Sequence, residues 1–303
     1  MNDIYTWHND LYPLIKKRFD LRYAKRLDVI SKVCDVVCQD DIDYRIEGIG
    51  GYGEMPIYDG TNVVGADTKR TFITNITPKE HALKVTSTYK KAKLDYSGES
   101  KKIGIRLADS AYMTVLNEFY RLFGSAFTNV GADGVAWASD KHPVSKDSTE
   151  TFSNLMHENL SVASITKAQA QASRFVTPDG LPFACNFDLL LVSPELEAKA
   201  KEICGPNSRL IPENNPDTDT NAANPVYGMK YLVVGGGNAG FSGKQWAVAD
   251  SLMLSEVLKL VYITKPTVLV SPQDNPLITD YIGYVDFAFG FGDARPIIFS
   301  NPS

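Results

Sequence analysis

Several runs in the chain have residue types that could do chemistry, and each must be weighed against an ordinary structural role. Gly235-Gly236-Gly237-Asn238-Ala239-Gly240 has the spacing G-x-G-x-x-G and follows a β-prone run. In a dinucleotide site the glycines let backbone approach a pyrophosphate that rests on the N-terminus of the next helix. Here Phe241-Ser242-Gly243-Lys244-Gln245-Trp246 follows, with no helical start. Too little α/β sequence remains downstream for the second half of a doubly wound sheet. A glycine loop between strands is the better account, and a nucleotide- or dinucleotide-binding enzyme built on 235–240 stays as an alternative. A phosphate loop fails because Gly243-Lys244 runs into Gln245. Gly240-Phe241-Ser242-Gly243-Lys244 lacks the last glycine of a nucleophile elbow.

Metal chemistry fares no better. Asp217-Thr218-Asp219-Thr220-Asn221 begins like a calcium loop, then places Ala222 where the turn needs glycine and Gly228 where the bidentate Glu belongs. Cys34 and Cys38 could share a helix face, but no second Cys/His pair stands at zinc spacing. His157-Glu158 lacks the second His of a metalloprotease helix, and His142 before Pro143 reads as a loop histidine. Glu195 and Glu197 sit at a helix start, where they complement the dipole. No catalytic residue, metal set or cofactor cradle emerges, and the expectation is a protein that is not an enzyme.

The elements around these runs carry more information. At 303 residues and a net charge of −5, the chain can bury one large core or two medium ones, and it lacks the basic balance of a nucleic-acid-coating surface. Four cysteines form no dense framework, which fits a reduced setting. The polar start MNDIYTWHNDLYP has no apolar signal core, and no apolar run reaches membrane-spanning length. A soluble intracellular product with no membrane partner is expected.

The strongest periodic signal is Ile103–Phe123, where Ala108, Tyr112, Val115, Phe119 and Leu122 recur three or four apart. Ser97 or Ser100 offers a cap and Gly124 a stop. At ~1.5 Å per residue this helix is roughly 30 Å long, a spine for other elements to pack on. Residues 1–43 form an N-terminal arm with an amphipathic helical pattern whose basic face holds Lys16, Lys17, Arg18, Arg22, Lys25 and Arg26; Pro13 caps or interrupts its beginning. Such a face is either simply solvated or reaches towards a neighbouring subunit or an acidic partner. Residues 44–80 are rich in glycine and poor in large aliphatics, and Asp59-Gly60 between short β-prone runs signals a hairpin. A two-stranded hairpin alone is marginal in water, so this stretch is a mobile loop or another chain supports it.

Further on, Ile165–Phe175 predicts a helix, Phe187–Val192 a buried strand, and Pro194 the start of a helix that Gly205 ends. Lys230–Val234, Thr267–Val270, Tyr281–Phe289 and Ile297–Phe299 read as strands, while Ser255–Ile263 is ambiguous between helix and strand. The class is α+β.

This order resembles the major capsid proteins of tailed phages, the Hong Kong 97-like fold, and among them the Mu-like major head subunits. The matching pieces are Gly53-Glu54-Met55-Pro56-Ile57-Tyr58, the spine Ala108–Phe127, Trp137 to Pro143, Asn159-Leu160-Ser161 with the helix after it, Gly180-Leu181-Pro182, the run Leu189 to Glu197, and the closing Val285-Asp286-Phe287 and Asp293-Ala294-Arg295. The resemblance implies an N-terminal arm (1–43), an extended β-hairpin loop (44–80) and a peripheral domain (81–179) holding spine helix 101–123. An axial domain (180–280) and terminal strands returning to the peripheral domain (281–303) complete it. It implies a structural subunit that self-assembles into hexamers and pentamers of an icosahedral head around double-stranded DNA, which it touches non-specifically. A separate scaffolding protein and a portal are its implied partners, and its place is the virion, after assembly in the host cytoplasm. The assembly interface is expected from Arg18, Arg22, Tyr52, Met55, Pro56, Ile57, Tyr58, Asp59, Gly60, Lys69, Arg70, Tyr112 and Phe119. It resolves the choice above in favour of support by another chain. A virion accessory or decoration protein is the further alternative.

Overall fold

The computed structural model describes residues 4–26, 29–58, 60–61, 63–66, 71–95, 98–205 and 224–302. The chain divides into two compact units: residues 1–44, 75–119 and 259–289 form the first, and residues 45–74, 120–258 and 290–303 the second. The expected segments 81–179, 180–280 and 281–303 cross these limits, because each unit is assembled from stretches far apart in sequence.

The first unit contains α1 (Trp7–Ala24), α2 (Tyr89–Lys93) and most of α3 (Glu99–Gly124). On α1, Trp7, Leu11, Ile15, Phe19 and Tyr23 recur every four residues and all are buried. The helix runs through Pro13 rather than starting at it, giving up one backbone bond to keep that face continuous. α1 and α3 approach at Gly104, where a Cβ would lie 2.2 Å from the carbonyl oxygen of Ile15. The arm is further tied down by the Trp7 indole, which donates to Pro276 O at 2.9 Å, and by the Tyr12 hydroxyl, which donates to Val268 O at 3.0 Å. Ser100 lies inside α3, not at its cap; Gly98, at φ +68°, precedes the helix and its carbonyl accepts from Lys102 N–H. Ser97 lies outside the described residues.

The sheet of this unit has four strands, in the order Asp35–Cys38, Leu258–Pro272, Ile278–Phe291, Lys79–Thr88. Asp35–Cys38 runs parallel to residues 259–262, and Lys79–Thr88 runs antiparallel to residues 278–287. The long strand continues through Pro266. Asp35–Cys38 pairs only with residues 259–262, so Pro266 lies beyond that short neighbour, where a missing N–H is tolerated.

Two aspartates on Ile278–Phe291 are held in opposite ways. Asp280 accepts from the Thr86 hydroxyl at 2.6 Å and from Gln273 at 2.7 Å, with Lys84 nearby, and these contacts lower its pKa. Asp286 stands opposite Glu80 in the register, and its Oδ1 is buried with no hydrogen-bond partner among the described residues. Burial first, and then the Glu80 charge, raise its carboxyl above the ordinary value of 3.8, with His81 opposing. A carboxyl whose folded pKa is raised favours folding when protonated, and that contribution is lost as pH rises through the raised value. Asp286→Asn should therefore stabilise the protein at pH 7, with the gain shrinking to nothing below the ordinary aspartate range. Urea denaturation at neutral and acid pH checks this; an equal effect at both would show that charge is not the cause.

The second unit is built on a five-stranded sheet, ordered Leu155–Met156, Ile297–Ser300, Trp246–Ala249, Leu189–Val192, Lys230–Val233. The three central strands are buried throughout, which explains why they read as unbroken apolar runs rather than alternating ones. α4 (Val162–Ala172) covers the core with Ile165, Ala168 and Ala172 and begins at a capping box between Ser161 and Ser164. α5 (Glu197–Cys204) follows a single 3₁₀ turn at Pro194–Leu196 and ends at Gly205. α6 (Ser251–Val257) is capped by Asp250 and gives way to strand at Leu258, so the ambiguous Ser255–Ile263 is part helix and part strand. No described helix is long and apolar enough to cross a membrane.

Candidate functional site

The feature with most functional content is the excursion between Glu47 and Ile73. Its stem is the two-stranded pair Tyr44–Glu47 and Ile73–Ile76. Around Asp59-Gly60, where a hairpin is expected, the described residues from 48 to 72 form no strand, and Asp59 lies outside them. Gly53 and Gly60 adopt positive φ of +80° and +87°, conformations that suit glycine.

What the excursion does carry is apolar surface turned outward. Met55 is 93% and Ile57 99% exposed, and Tyr52, Tyr58, Val63 and Val64 are exposed as well. Pro56 and Gly60 share this exposure. Isolated exposed apolar residues are ordinary, but a run of this kind marks an interaction surface. Of the other expected interface residues, Arg18 is exposed on α1. Arg22 is engaged inside the chain, donating to Asp109 through Nε at 2.8 Å and Nη2 at 3.1 Å, which raises its already high pKa. Tyr112 and Phe119 are buried: Tyr112 lies under Arg26 at 5.6 Å, and Phe119 packs on Phe289 with ring centroids 5.8 Å apart. Helical periodicity marked them, and periodicity reports a face turned inward, so they serve the subunit interior. Lys69 and Arg70 lie outside the described residues.

The root of the excursion is fixed by charge. Gly48 N–H donates to Phe72 O at 2.9 Å, closing the stem, and Ile49 N–H donates to Asp293 Oδ2 at 3.2 Å. Asp293 also accepts from Arg295, through backbone N at 2.9 Å and Nη1 at 2.7 Å. The Arg295 guanidinium is only 3% exposed as a residue; its Nε donates to Val176 O at 2.8 Å, its Nη2 to Val144 O, and it stacks 4.8 Å from the Phe152 ring. A fully bonded buried pair of this kind holds geometry rather than adding net stability. Here it joins the loop root to residues 144, 152 and 176.

A second buried polar knot lies in the same unit. His142, expected as a loop histidine, is 1% exposed; its Nδ1 is 2.6 Å from Asp133 Oδ2 and its Nε2 is 3.1 Å from both Trp137 O and Asn154 Oδ1. Asn154 in turn donates to Trp137 O at 2.8 Å and accepts from Ser139 N–H at 2.9 Å. The Trp137–Pro143 run is thus a structural loop pinned from within. Sequence reasoning missed Asp293, Arg295, Asp133 and Asn154 as positioning groups; the only signal was charge next to the most apolar runs of the chain.

The glycine run forms a tight turn: Gly235 pairs with Gly240 and Gly236 with Ala239, antiparallel, with Gly237 at φ +60°. Gly240 lies against Gly124, where a Cβ would meet Gly240 O at 2.8 Å. The next helix begins only at Ser251, so this is a hairpin and not a strand-to-helix phosphate turn. Cys38 lies in a strand and Cys34 just before it, not on one helix face, and burial pushes the Cys34 thiol well up. No cluster able to hold a metal ion exists among the described residues. The Asp217–Asn221 run lies outside them.

Comparison with known proteins agrees with this geometry. A family model described as phage capsid protein matches residues 74–298. The procapsid of bacteriophage JBD30 is similar at TM-score 0.53 and 13% identity, over 97% of this chain and 75% of that one. The capsid of a native GTA particle is similar at TM-score 0.55 and 10% identity, over 91% and 90%. A virus-like particle from Pyrococcus furiosus is similar at TM-score 0.51 and 11% identity, over 95% and 97%. No curated protein matches the sequence. A match over most of the chain, on a shared fold, settles the family: this chain belongs to the phage capsid proteins and has the Hong Kong 97-like fold of tailed-phage major capsid subunits.

Proposed function

We propose that the chain is the repeating subunit of an icosahedral phage head, closing into hexamers and pentamers around double-stranded DNA. The observation that carries this is the excursion 48–72, which turns six large apolar side chains to solvent and contains no strand among its described residues. Such a surface becomes stable when a sister molecule covers it, and interfaces of that kind often bury roughly 2,000 Å² or more in total. Residues Tyr52 to Gly60, with Lys69, Arg70 and Arg18, are its contact set. A separate scaffolding protein and a portal complete the assembly, which takes place in the host cytoplasm before the subunit resides in the virion. Its work is mechanical, and it turns over no substrate.

Electron microscopy of the purified chain, alone and co-expressed with its neighbours in the phage, tests this directly. Closed shells are the expected result, and a stable monomer under all assembly conditions would sink it. Deleting residues 54–66 should abolish shells while leaving the circular dichroism spectrum close to wild type. A virion accessory would keep both fold and partner after that deletion.

A further inference from the structure

We infer that the outer strand of the first unit's sheet, Lys79–Thr88, pairs antiparallel with the same strand of a second copy across a two-fold axis centred on Ala82. Its place in an assembly rests on the shell reading above. A two-fold joint cannot build a ring of five or six, so it would link one ring to the next.

Lys79–Thr88 ends its sheet, and its ladder runs only to residues 278–287. The far edge is unpaired among the described residues. Edges of native sheets are usually blunted by brevity, proline or a bulge. This one has ten residues, no Pro or Gly, and an unbroken register. Lys79, Glu80, Ala82, Leu83, Lys84 and Thr86 are exposed along it.

The phase of the edge follows from one hydrogen bond. Tyr89 N–H donates to Leu277 O at 2.9 Å, and these two residues continue the register of the strand pair. Opposite residues in an antiparallel ladder alternate between bonded and non-bonded pairs. Counting back by twos, Ser87, Val85, Leu83, His81 and Lys79 bond to the inner neighbour. Glu80, Ala82, Lys84 and Thr86 turn their N–H and C=O groups to the open side. Only these can receive another strand.

Charge then selects the register. With Ala82 facing Ala82, Glu80 of each copy stands opposite Lys84 of the other. Centring on Lys84 would set that lysine against itself, and centring on Leu83 would leave Glu80 opposite Thr86. The lone chain also lacks a cation where the first register puts one. Glu80 stands directly opposite Asp286, a like-charge pair of the kind that weakens a sheet. Asp286 is 7% exposed and its Oδ1 has no hydrogen-bond partner, while Glu80 accepts from the Tyr284 hydroxyl at 2.8 Å. Lys84 reaches its own Asp280 at 3.4 Å, but Thr86 and Gln273 already hold that carboxylate. Turned to Glu80 of the second copy, Lys84 would supply the missing charge. An extended strand of unrelated sequence would fit the backbone but not these alternating charges.

A single thiol on the axis tests the assignment. Ala82→Cys in a Cys38→Ser background should give a disulfide-linked dimer and nothing larger, both from shells and from concentrated solution. Opposite Cα atoms of a bonded pair lie about 5.5 Å apart, within disulfide reach. Cys38→Ser alone should stay monomeric, since Cys34 and Cys204 are buried and Cys185 is half-buried. Glu80→Lys or Lys84→Glu should each cut the dimer at least tenfold with an unchanged circular dichroism spectrum. The two together should restore it, because the reversed edge is again self-complementary. If wild-type shells form and the Ala82→Cys chain stays monomeric on oxidation, the edge pairing alone is wrong. If the dimer forms and no shells appear, the shell reading falls and the pairing stands. Absence of both would sink both. A dimer from Leu83→Cys and none from Ala82→Cys would overturn the register, and a ladder above the dimer would overturn the two-fold.

Discussion

Replacing Arg295 with alanine is expected to destabilise the protein by about 3–5 kcal/mol, the cost of stranding one partner of a buried ion pair. Asp293 would stay buried without its counter-charge, and the carbonyls of Val144 and Val176 would lose their donors. Because a typical domain is stable by only ~5–15 kcal/mol, much of the expressed chain should be insoluble. The informative control is Arg295→Met with Asp293→Asn, which removes both charges and keeps an acceptor for Ile49 N–H. It should cost clearly less than Arg295→Ala, because no uncompensated charge remains. Urea denaturation of the single and double variants gives the coupling. A single variant within about 1 kcal/mol of wild type would show the pair to be idle.

Gly104→Ala should cost about 3 kcal/mol or more, at the top of the range for overpacking. Alanine is the better helix former by roughly 1 kcal/mol, so propensity alone predicts the opposite sign. The clash decides: the new Cβ would sit 2.2 Å from a backbone carbonyl oxygen, that of Ile15, which cannot swing aside. Helix α1 must shift or detach, and hydrogen exchange should show protection lost across Trp7–Ala24. Gly283→Ala is the comparison, since its Cβ would meet the Leu107 side chain and no backbone: Cδ2 at 3.3 Å, with Cβ and Cγ at the ordinary contact distances of 3.6 and 3.8 Å. That side chain can rotate, and the cost should be much smaller. Equal effects at the two positions would refute the close approach of α1 to α3.

Much of the fold was legible because it depends on period. The spine emerged from apolar spacing alone, and its observed extent, Glu99–Gly124, differs only at the ends. Phe187–Val192 could be read as a buried strand because both of its faces are covered. Ser255–Ile263 resisted because a helix ends and a strand begins inside one apolar run. The long strand through Pro266 was read as shorter, since the end of its short parallel neighbour Asp35–Cys38, which pairs with residues 259–262, is a property of the sheet and not of the residue. The candidate surface was visible for a different reason. A stretch poor in core residues and rich in glycine announces that it cannot support itself, but it does not show how it is held. The clamp on Ile49 comes from Asp293, 244 positions away, and the His142 knot joins residues 133, 137 and 154 through loops with no periodicity at all. Contacts of that kind leave no mark on local spacing.

The outward apolar run between Tyr52 and Val64 also puts the free subunit on a clock. A newly made chain carries a sticky tongue that any other unfinished chain can seize, so orderly closure competes with precipitation from the moment of release. Precipitation steepens with crowding, whereas closure depends on meeting a correctly shaped seat. The lifetime of the lone molecule, rather than the strength of the finished lattice, then sets how much protein ends in shells. A companion that shields the tongue early would raise the harvest without adding one contact to the final particle.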